Sequence, residues 1–472
     1  MEKLIDLAKF GVSPALIQDN ASIVTYLDLN LEVQEISEKI RGTSLIFLLG
    51  SNTVQSICVY LAALAVKVPV VLLPNTMNST KLASLVETYK PSWIFAGDRK
   101  EVDSYDFETL STNFNYFLFK SRKNIIHETH PDLRLLFSTS GSTGSSKLVQ
   151  ISESNLLSNT NSIINALGIK QHDRAITTLP MHYSYGLSII NTHLNSGASI
   201  ILNDKAVSER EFWETLKLGR ATTFGGVPLT YELLSRATPD WFDGTYLETL
   251  TQAGGKLRED LVIKFQLIAK QLGMKFFIMY GQTEATARMS ILDSKMIEFH
   301  PGSIGKPISG GYFHIIDDDG EKIESAHEVG ELVYSGPNVC LGYANAISDF
   351  RSGDTNGGIL RTGDLGYFDN NGYYYVTGRK NRLCKILGHR VNLDEIEVYL
   401  RQLGYDVHVI EVNEKVYLCS TNEEQKASCL KQAGDFLQLN YRALEYVTIK
   451  EFPRNEAGKI QYSLLKQNLP KV

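Results

Sequence analysis

The sequence predicts an α/β protein: a large N-terminal domain of α/β subdomains plus a small β unit, followed by a small α+β C-terminal domain. Three observations carry that prediction. Strand-like and helix-like patterns alternate from residue 45 to residue 279, short strands crowd between dense turns after about Pro301, and the pattern changes again beyond Arg379. With 472 residues, the chain has room for about two to four domains of ordinary size.

Residues 45–73 read as a strand (LIFLLG), a helix over about 53–66 and a second strand (VPVVLLP), the βαβ rhythm of a parallel sheet covered on both faces. The rhythm returns in runs at 134–137, just before a Gly/Ser loop, and at 174–179, 198–202, 221–224, 249–252 and 275–279. Amphipathic stretches separate several of them. The next strands are short: 314–316 before DDDGE, 330–334, and 372–376 after DNNG, a small antiparallel unit. Asn392 has the position of a helix N-cap with Glu395 three residues on, and Leu393, Ile396, Leu400 and Leu403 keep one helical face apolar. Runs at 407–412 and 415–420 flank a turn at Asn413-Glu414, and a helix follows over about 423–439. The expected division is residues 1–380 and 382–472, with no internal repeat and no long linker.

Composition excludes several function classes. Against 53 acidic residues stand 47 basic ones, a net charge of −6, so there is no electrostatic footprint for nucleic acid or an anionic membrane. The five cysteines are odd in number, scattered, and form no C-x-x-C pair, which argues against a disulfide framework or a zinc site and fits a reducing compartment. The opening MEKLIDLAKFG lacks the unbroken apolar core of a secretory signal, and the longest apolar stretch, 56–73, is interrupted by Lys67 and Pro69. A cytoplasmic protein without a membrane span is expected.

Five segments carry residues suited to chemistry. Residues 138–147 (STSGSTGSSK) form a loop of small and hydroxylated residues ending in a lysine. Backbone N–H groups approach an anion closely there, hydroxyls add donors and Lys147 adds charge, so phosphate is the natural ligand; the Walker A spacing is absent. Tyr280-Gly281-Gln282-Thr283-Glu284 follows a strand directly, where open α/β sheets place ligands, and its hydroxyl and carboxylate suit Mg²⁺ and phosphates. Asp364, in Arg361-Thr-Gly-Asp364, is able to accept both ribose hydroxyls, with Arg379 fifteen residues on to reinforce it or reach a phosphate. The basic, glycine-punctuated segment 378–391 lies at the domain junction, and Pro453-Arg-Asn-Glu-Ala-Gly-Lys459 is a polar loop near the C-terminal end. Taken singly, each has an ordinary reading: a flexible connection, a helix-capping pair, a turn aspartate with a surface arginine, a solvated basic face, a loop lysine.

Order and spacing together say more. From about Thr25 to Gln461 the chain resembles the adenylate-forming superfamily of acyl- and aryl-CoA ligases, peptide-synthetase adenylation domains and luciferases. The segments that carry the resemblance are FSTSGSTGSSK, PMHYSYG, GGVP, QAGGK, YGQTE, TGD, GRKNRLCKILGHRV and NEAGK, in the family's order. The resemblance implies an AMP-forming ligase that uses ATP and Mg²⁺ to convert a carboxylic acid to an acyl-AMP, then passes the acyl group to a phosphopantetheine thiol, most often that of CoA. Ser138, Thr139, Ser140, Gly141, Ser142, Thr143, Gly144 and Lys147 would hold the β- and γ-phosphates. Gly254, Gly255 and Lys256 would frame the adenine with Tyr280, in the motif that includes Gly281 and Gln282. Thr283 would touch the α-phosphate, Glu284 would hold the metal, and Asp364 with Arg379 would hold the ribose.

The same resemblance makes residues 382–472 a mobile lid. Lys459 would bridge the incoming carboxylate and the α-phosphate, and the lid would rotate between half-reactions about Asn381, where relatives commonly have Asp or Lys. Gly388 would line the thiol tunnel and Arg390 would contact a phosphate. His182 would line the acyl pocket. Amino-acid-activating relatives carry an aspartate where this chain has Gly186; a buried ammonium without a counter-ion is costly, so the expected substrate lacks an α-amine, as a fatty, aryl or small hydroxy acid does. Motifs alone leave open an enzyme that loads a carrier protein, a luciferase-like oxygenase and a non-catalytic nucleotide-binding descendant.

Overall fold

The computed structural model describes residues 4–97, 107–110, 117–123, 126–138, 147–236, 239–386, 389–413, 415–437, 443–455 and 458–469. They fold as two compact units. The first runs to Tyr312 and takes in Ser335–Leu360; the second comprises Phe313–Tyr334 and the residues from Arg361 onward. Among the described residues no helix is long and apolar enough to cross a membrane.

The first unit contains two large sheets. One has eight strands in the order Gly342–Ala344, Leu148–Ser152, Leu133–Ser138, Val70–Pro74, Ile46–Gly50, Trp93–Ala96, Phe117–Ser121, Phe107–Leu110. Its four inner strands from Leu133–Ser138 to Trp93–Ala96 run parallel. Both faces are covered, which is why its runs are apolar throughout: Ile46, Leu48, Val70, Leu72, Leu135 and Phe137 enter one core, and Phe47, Leu49, Val71, Leu73 and Leu136 enter another.

The other sheet has nine strands in the order Lys306–Pro307, Ser290–Leu292, Lys275–Tyr280, Thr249–Gln252, Thr223–Gly226, Arg174–Ile176, Ser199–Ile201, Pro14–Ile17, Ile23–Thr25. From Lys275–Tyr280 across to Pro14–Ile17 neighbouring strands are parallel. The larger core takes in residues of both sheets and of the helices Tyr26–Ile40, Val54–Ala65, Glu153–Leu167 and Ser184–Asn195. Val54–Ala65 is buried over every residue from Ile57 to Ala63, so its sequence is apolar on all sides, without the polar face of a surface helix. Thr53 caps it by accepting from the Ser56 N–H. The strand expected over 174–179 stops at Ile176, and the chain then turns toward the helix Ser184–Asn195.

The second unit contains a five-stranded sheet in the order Lys322–Ile323, Tyr312–Ile316, Gly330–Ser335, Ile359–Phe368, Tyr374–Arg379. The last strand begins two residues later than the sequence suggests, because the turn uses Asp369, whose carboxylate accepts from the backbone of Asn371 and Tyr373. Beyond it lies an α+β segment with a core of its own, including Ile386, Ile396, Leu400, Val409, Leu418 and Tyr446. The strands Val407–Val412 and Lys415–Ser420 pair antiparallel as expected, and Leu444–Thr448 adds a parallel third strand. Asn392 caps Leu393–Gln402: its Oδ1 accepts from the Asp394 N–H and its Nδ2 donates to Glu395. Leu393, Ile396 and Leu400 are buried, but Leu403 is 48% exposed, since the helix ends before it. The helix expected over 423–439 opens as a 3-10 turn, Glu423–Gln425, and becomes α-helical over Lys426–Leu437. Residue 381, the expected hinge, falls inside this unit.

Candidate active site

Three parallel strands deliver the first set of residues. Gly226, Gln252 and Ile278 are in register, so the chain leaves the sheet on one side, at the strands' carboxyl ends, into residues 253–256 and 281–284. Gln252 Nε2 donates to Gly255 O at 2.8 Å, which fixes the turn holding Gly254, Gly255 and Lys256. Gly281 is required sterically: the chain doubles back so tightly that a Cβ there would lie 1.7 Å from Ala287 O. Thr283 and Glu284 sit on a single 3-10 turn, Thr283–Ala285, after which Thr286 and Ala287 have φ of 60° and 124°. No helix follows for them to cap. Positive φ at two non-glycine residues is strained, and such strain gathers at functional sites.

Side-chain partners define the surroundings of this turn. Ser184 Oγ, at the start of the helix Ser184–Asn195, lies 3.2 Å from Thr283 Oγ1. Tyr343 donates its hydroxyl to Glu284 Oε1 at 2.8 Å, and Lys147 Nζ stands 3.3 Å from the centre of the Tyr343 ring. Burial, reinforced by the Glu284 charge, pushes the Tyr343 phenol well above its ordinary pKa, so it remains a donor. The antiparallel pairing of Gly342–Ala344 with Leu148–Ser152 makes this junction. Ser138 pairs with Leu148, so the two ends of the Gly/Ser loop, Ser138 and Lys147, lie side by side. Thr139, Ser140, Gly141, Ser142, Thr143 and Gly144 lie outside the described residues.

The donor set suits Mg²⁺ in its phosphate-bound form. Glu284 offers one carboxylate and Thr283 one hydroxyl, hard oxygen donors of the kind that hold Mg²⁺ when phosphates complete the shell. The one preformed metal-like cluster among the described residues, His172 with Asp173 and Glu248, lies elsewhere.

His182 is half-buried in the turn before the helix Ser184–Asn195, and Gly186 is buried within that helix. A Cβ at Gly186 would lie 2.3 Å from Pro180 O. In this backbone the position has no room for an aspartate, which gives the missing counter-ion a steric reason.

The second unit holds the remaining candidates. Asp364 is 3% exposed and pairs with Arg379 across the antiparallel hairpin, Arg379 Nε to Asp364 Oδ1 at 3.1 Å. The Asp364 N–H donates to Thr362 Oγ1, whose hydroxyl donates to Leu332 O. Asn381 is exposed on the 3-10 turn Lys380–Arg382, between two anchored cations. Lys380 reaches Glu331 of the five-stranded sheet at 2.9 Å, whereas Arg382 is bound by Asp394, Glu397 and Val409 O of the α+β segment. Lys459 is exposed on a loop closed by reciprocal bonds: Asn455 N–H donates to Lys459 O, and Lys459 N–H donates to Asn455 Oδ1, each at 2.9 Å. Arg390 lies on the strand His389–Asn392 opposite Lys385, and Gly388 lies outside the described residues.

Sequence reasoning missed Tyr343, Ser184 and Asn338. Asn338 Nδ2 donates to Ala285 O at 2.8 Å, and its carbonyl accepts from Thr286 Oγ1 at 2.6 Å, which pins the strained turn. Tyr343 and Asn338 reach the site from far away in the chain, so no local pattern marks them; Ser184 lies within the PMHYSYG segment, whose presence was the signal that could have found it.

Known proteins align with this architecture. Residues 6–344 match the family model of the AMP-binding enzyme. The chain is 26% identical to the 2-succinylbenzoate–CoA ligase of Oceanobacillus iheyensis, over 96% of its own length and 95% of that protein's. It is 27% identical to the oxalate–CoA ligase of Arabidopsis thaliana, over 72% of its own length and 68% of that protein's. In fold it is similar to the o-succinylbenzoate coenzyme A synthetase of Bacillus subtilis in complex with ATP and magnesium ion, with a TM-score of 0.76, 22% identity and 98% of each chain covered.

Proposed function

The chain belongs to the AMP-binding enzyme family, and we propose on that basis that it is an acid–CoA ligase for a carboxylic acid without an α-amine. A carboxylate is a poor electrophile. In the first half-reaction its oxygen attacks the α-phosphorus of ATP and pyrophosphate leaves; in the second a CoA thiolate attacks the acyl carbon of the acyl-AMP, AMP leaves and the thioester forms.

The observation that carries this reading is the junction of Lys147, Tyr343 and Glu284 beside Thr283 and Ser184 at the ends of parallel strands. In this reading Ser138, Lys147 and the loop between them hold the β- and γ-phosphates. Gly254, Gly255, Lys256 and Tyr280 frame the adenine, Thr283 donates to the α-phosphate, and Glu284 holds Mg²⁺, which supplies positive charge to the phosphates. Asp364 accepts from the ribose hydroxyls, oriented by Arg379. Lys459 neutralises charge that builds on the α-phosphate in the transition state. The lid formed by residues 382–472 turns about Asn381 to exchange the lysine for the thiol route at Gly388 and Arg390. The anchoring of Lys380 and Arg382 to different segments supports a pivot between them. His182 lines the acyl pocket. Two relatives are named for oxalate and 2-succinylbenzoate, acids without an α-amine, which supports the same class here.

A carboxylate library screened for acid-dependent exchange of label between pyrophosphate and ATP tests the reading, followed by CoA and a panel of holo-carrier proteins as acceptors. Exchange with a non-amino acid, then acyl-CoA and AMP in equal amounts, is expected. Exchange with no acid refutes it, and transfer only to a carrier protein replaces CoA as the acceptor.

A further inference from the structure

Arg288 is the anomaly of the first unit. It is 2% exposed, one of the largest fully buried side chains, and its Nε and Nη1 have no hydrogen-bond partner. No carboxylate among the described residues forms an ion pair with it. Its guanidinium lies 5.0 Å from the centre of the Tyr185 ring, an attraction that leaves the N–H donors at the guanidinium edge without acceptors. The neighbours supply no negative charge: burial holds the Tyr185 phenol protonated, and burial holds His193 neutral, down to about 4, with Arg288 pushing the same way. Burial brings Arg288 itself down to about 10, which leaves it cationic at neutral pH. A buried cation without an anion is normally found with a ligand or not at all.

Its surroundings are those of the site. Arg288 follows the strained pair Thr286 and Ala287, and its carbonyl is held by Asn159 Nδ2 at 2.8 Å. Asn159, Thr286, Ser184 and Ser188 line a small cavity, and the two serines flank Tyr185 in the helix. Ser184 also faces Thr283. The cavity itself has room for about one water molecule; the unpaired guanidinium packs on the ring of Tyr185, the residue next to Ser184, which faces Thr283.

We infer that Arg288 recognises a second acidic group on the acyl substrate, so that the acid activated here is a compact dicarboxylic acid or the equivalent with one other anionic group. This rests on the ligase reading above. A purely structural arginine would leave the ligand's distal group without effect.

Matched pairs test it: succinate against butyrate and succinamate, glutarate against valerate and glutaramate, in pyrophosphate exchange with the full-length wild type, Arg288→Gln and Arg288→Lys. The wild type is expected to favour the dianionic member by about 100-fold or more in kcat/KM. In Arg288→Gln that ratio collapses toward one, chiefly through KM, and Arg288→Lys keeps part of it. Thermal melting supplies a readout apart from turnover: the dianionic acids raise the wild-type Tm and leave that of Arg288→Gln unmoved. Equal use of the monoanionic isosteres by the wild type overturns the inference and leaves the ligase reading intact, as does an unchanged ratio in folded Arg288→Gln. Exchange with no acid at all overturns both.

Discussion

The strand ends of the first unit and the surroundings of Asn381 in the second manage charge in opposite ways. In the first, the groups at the strand ends are joined by hydroxyls: Ser184 to Thr283 and Tyr343 to Glu284, with the cation of Arg288 buried without an anion. In the second, cations and carboxylates satisfy one another. Burial works to raise the Glu331 pKa, but Arg361 and Lys380 outweigh it and hold the carboxyl below its usual range. Burial likewise opposes the charge on Glu397, and His408, Arg382 and the Val409 N–H outweigh it. Tyr462, just past the Lys459 loop, donates to the same Glu397 and stacks on Arg382 at 3.9 Å. The lesson is that the strand ends of the first unit are joined by hydroxyls and leave the Arg288 cation without an anion, whereas the second unit ties Lys380 and Arg382, on either side of Asn381, to carboxylates.

Changing the exposed lysine gives the largest expected effect. Lys459→Ala lowers acyl-AMP formation by about 100- to 1000-fold while still converting preformed acyl-AMP to thioester, as single-turnover quench assays of the two half-reactions report. Equal loss in both would assign the lysine to the scaffold and erase the contrast between the units.

Removing the central carboxylate of the second unit comes next. Glu397→Gln leaves Arg382 and His408 with a neutral partner and destabilises that unit by about 3 kcal/mol, read from denaturant unfolding. A loss below about 1 kcal/mol would mean the buried cluster is not what holds Tyr462, just past the Lys459 loop, to the helix Leu393–Gln402.

Acid separates the units by about 2 kcal/mol. His193 is neutral when folded, its pKa down from 6.5 to about 4 because of burial, so the folded state binds its proton less readily than the unfolded chain. Its contribution is complete above pH 6.5 and is lost as pH falls toward 4; at pH 5 the loss is about 2 kcal/mol. Glu397 has a lowered pKa, so its contribution persists above the unfolded value of 4.5 and is lost below that, as pH falls through the folded value. Hydrogen exchange at pH 7, 5 and 4 should therefore show the first unit loosening before the second, and His193→Asn should abolish the earlier step. The reverse order would contradict the assignment.

The smallest effect belongs to Tyr343. Tyr343→Phe removes one hydrogen bond to Glu284, worth about 1 kcal/mol, and keeps the ring beside Lys147. It should shift the Mg²⁺ dependence of exchange by a few-fold, whereas Tyr343→Ala also raises the KM for ATP. Identical behaviour of the two variants would remove the ring from the account.

Much of this was legible in the residues. Strands buried on both faces announced themselves as unbroken apolar runs at 45–50 and 70–74, and the hairpin of Val407–Val412 with Lys415–Ser420 followed from two strand-like runs on either side of one turn. The placement of YGQTE at a strand end followed from the apolar run before it. What could not be read is what non-local pairing creates. Tyr343 meets Lys147 because Gly342–Ala344 pairs with Leu148–Ser152, nearly two hundred residues earlier. Arg288 looks like any arginine after a motif until its burial is known. The parallel strand Leu444–Thr448 is five residues long and carries little pattern of its own. The fit of Gly186 against Pro180 O is a backbone property that no side-chain pattern reports.

The most direct test of the central claim follows an oxygen atom. With an acid that supports exchange, labelled with ¹⁸O in its carboxylate, one complete reaction with ATP and CoA should leave a single ¹⁸O in AMP and none in pyrophosphate, because the carboxylate oxygen has bonded to the α-phosphorus. Label in pyrophosphate or phosphate, or ADP as the product, would contradict the account.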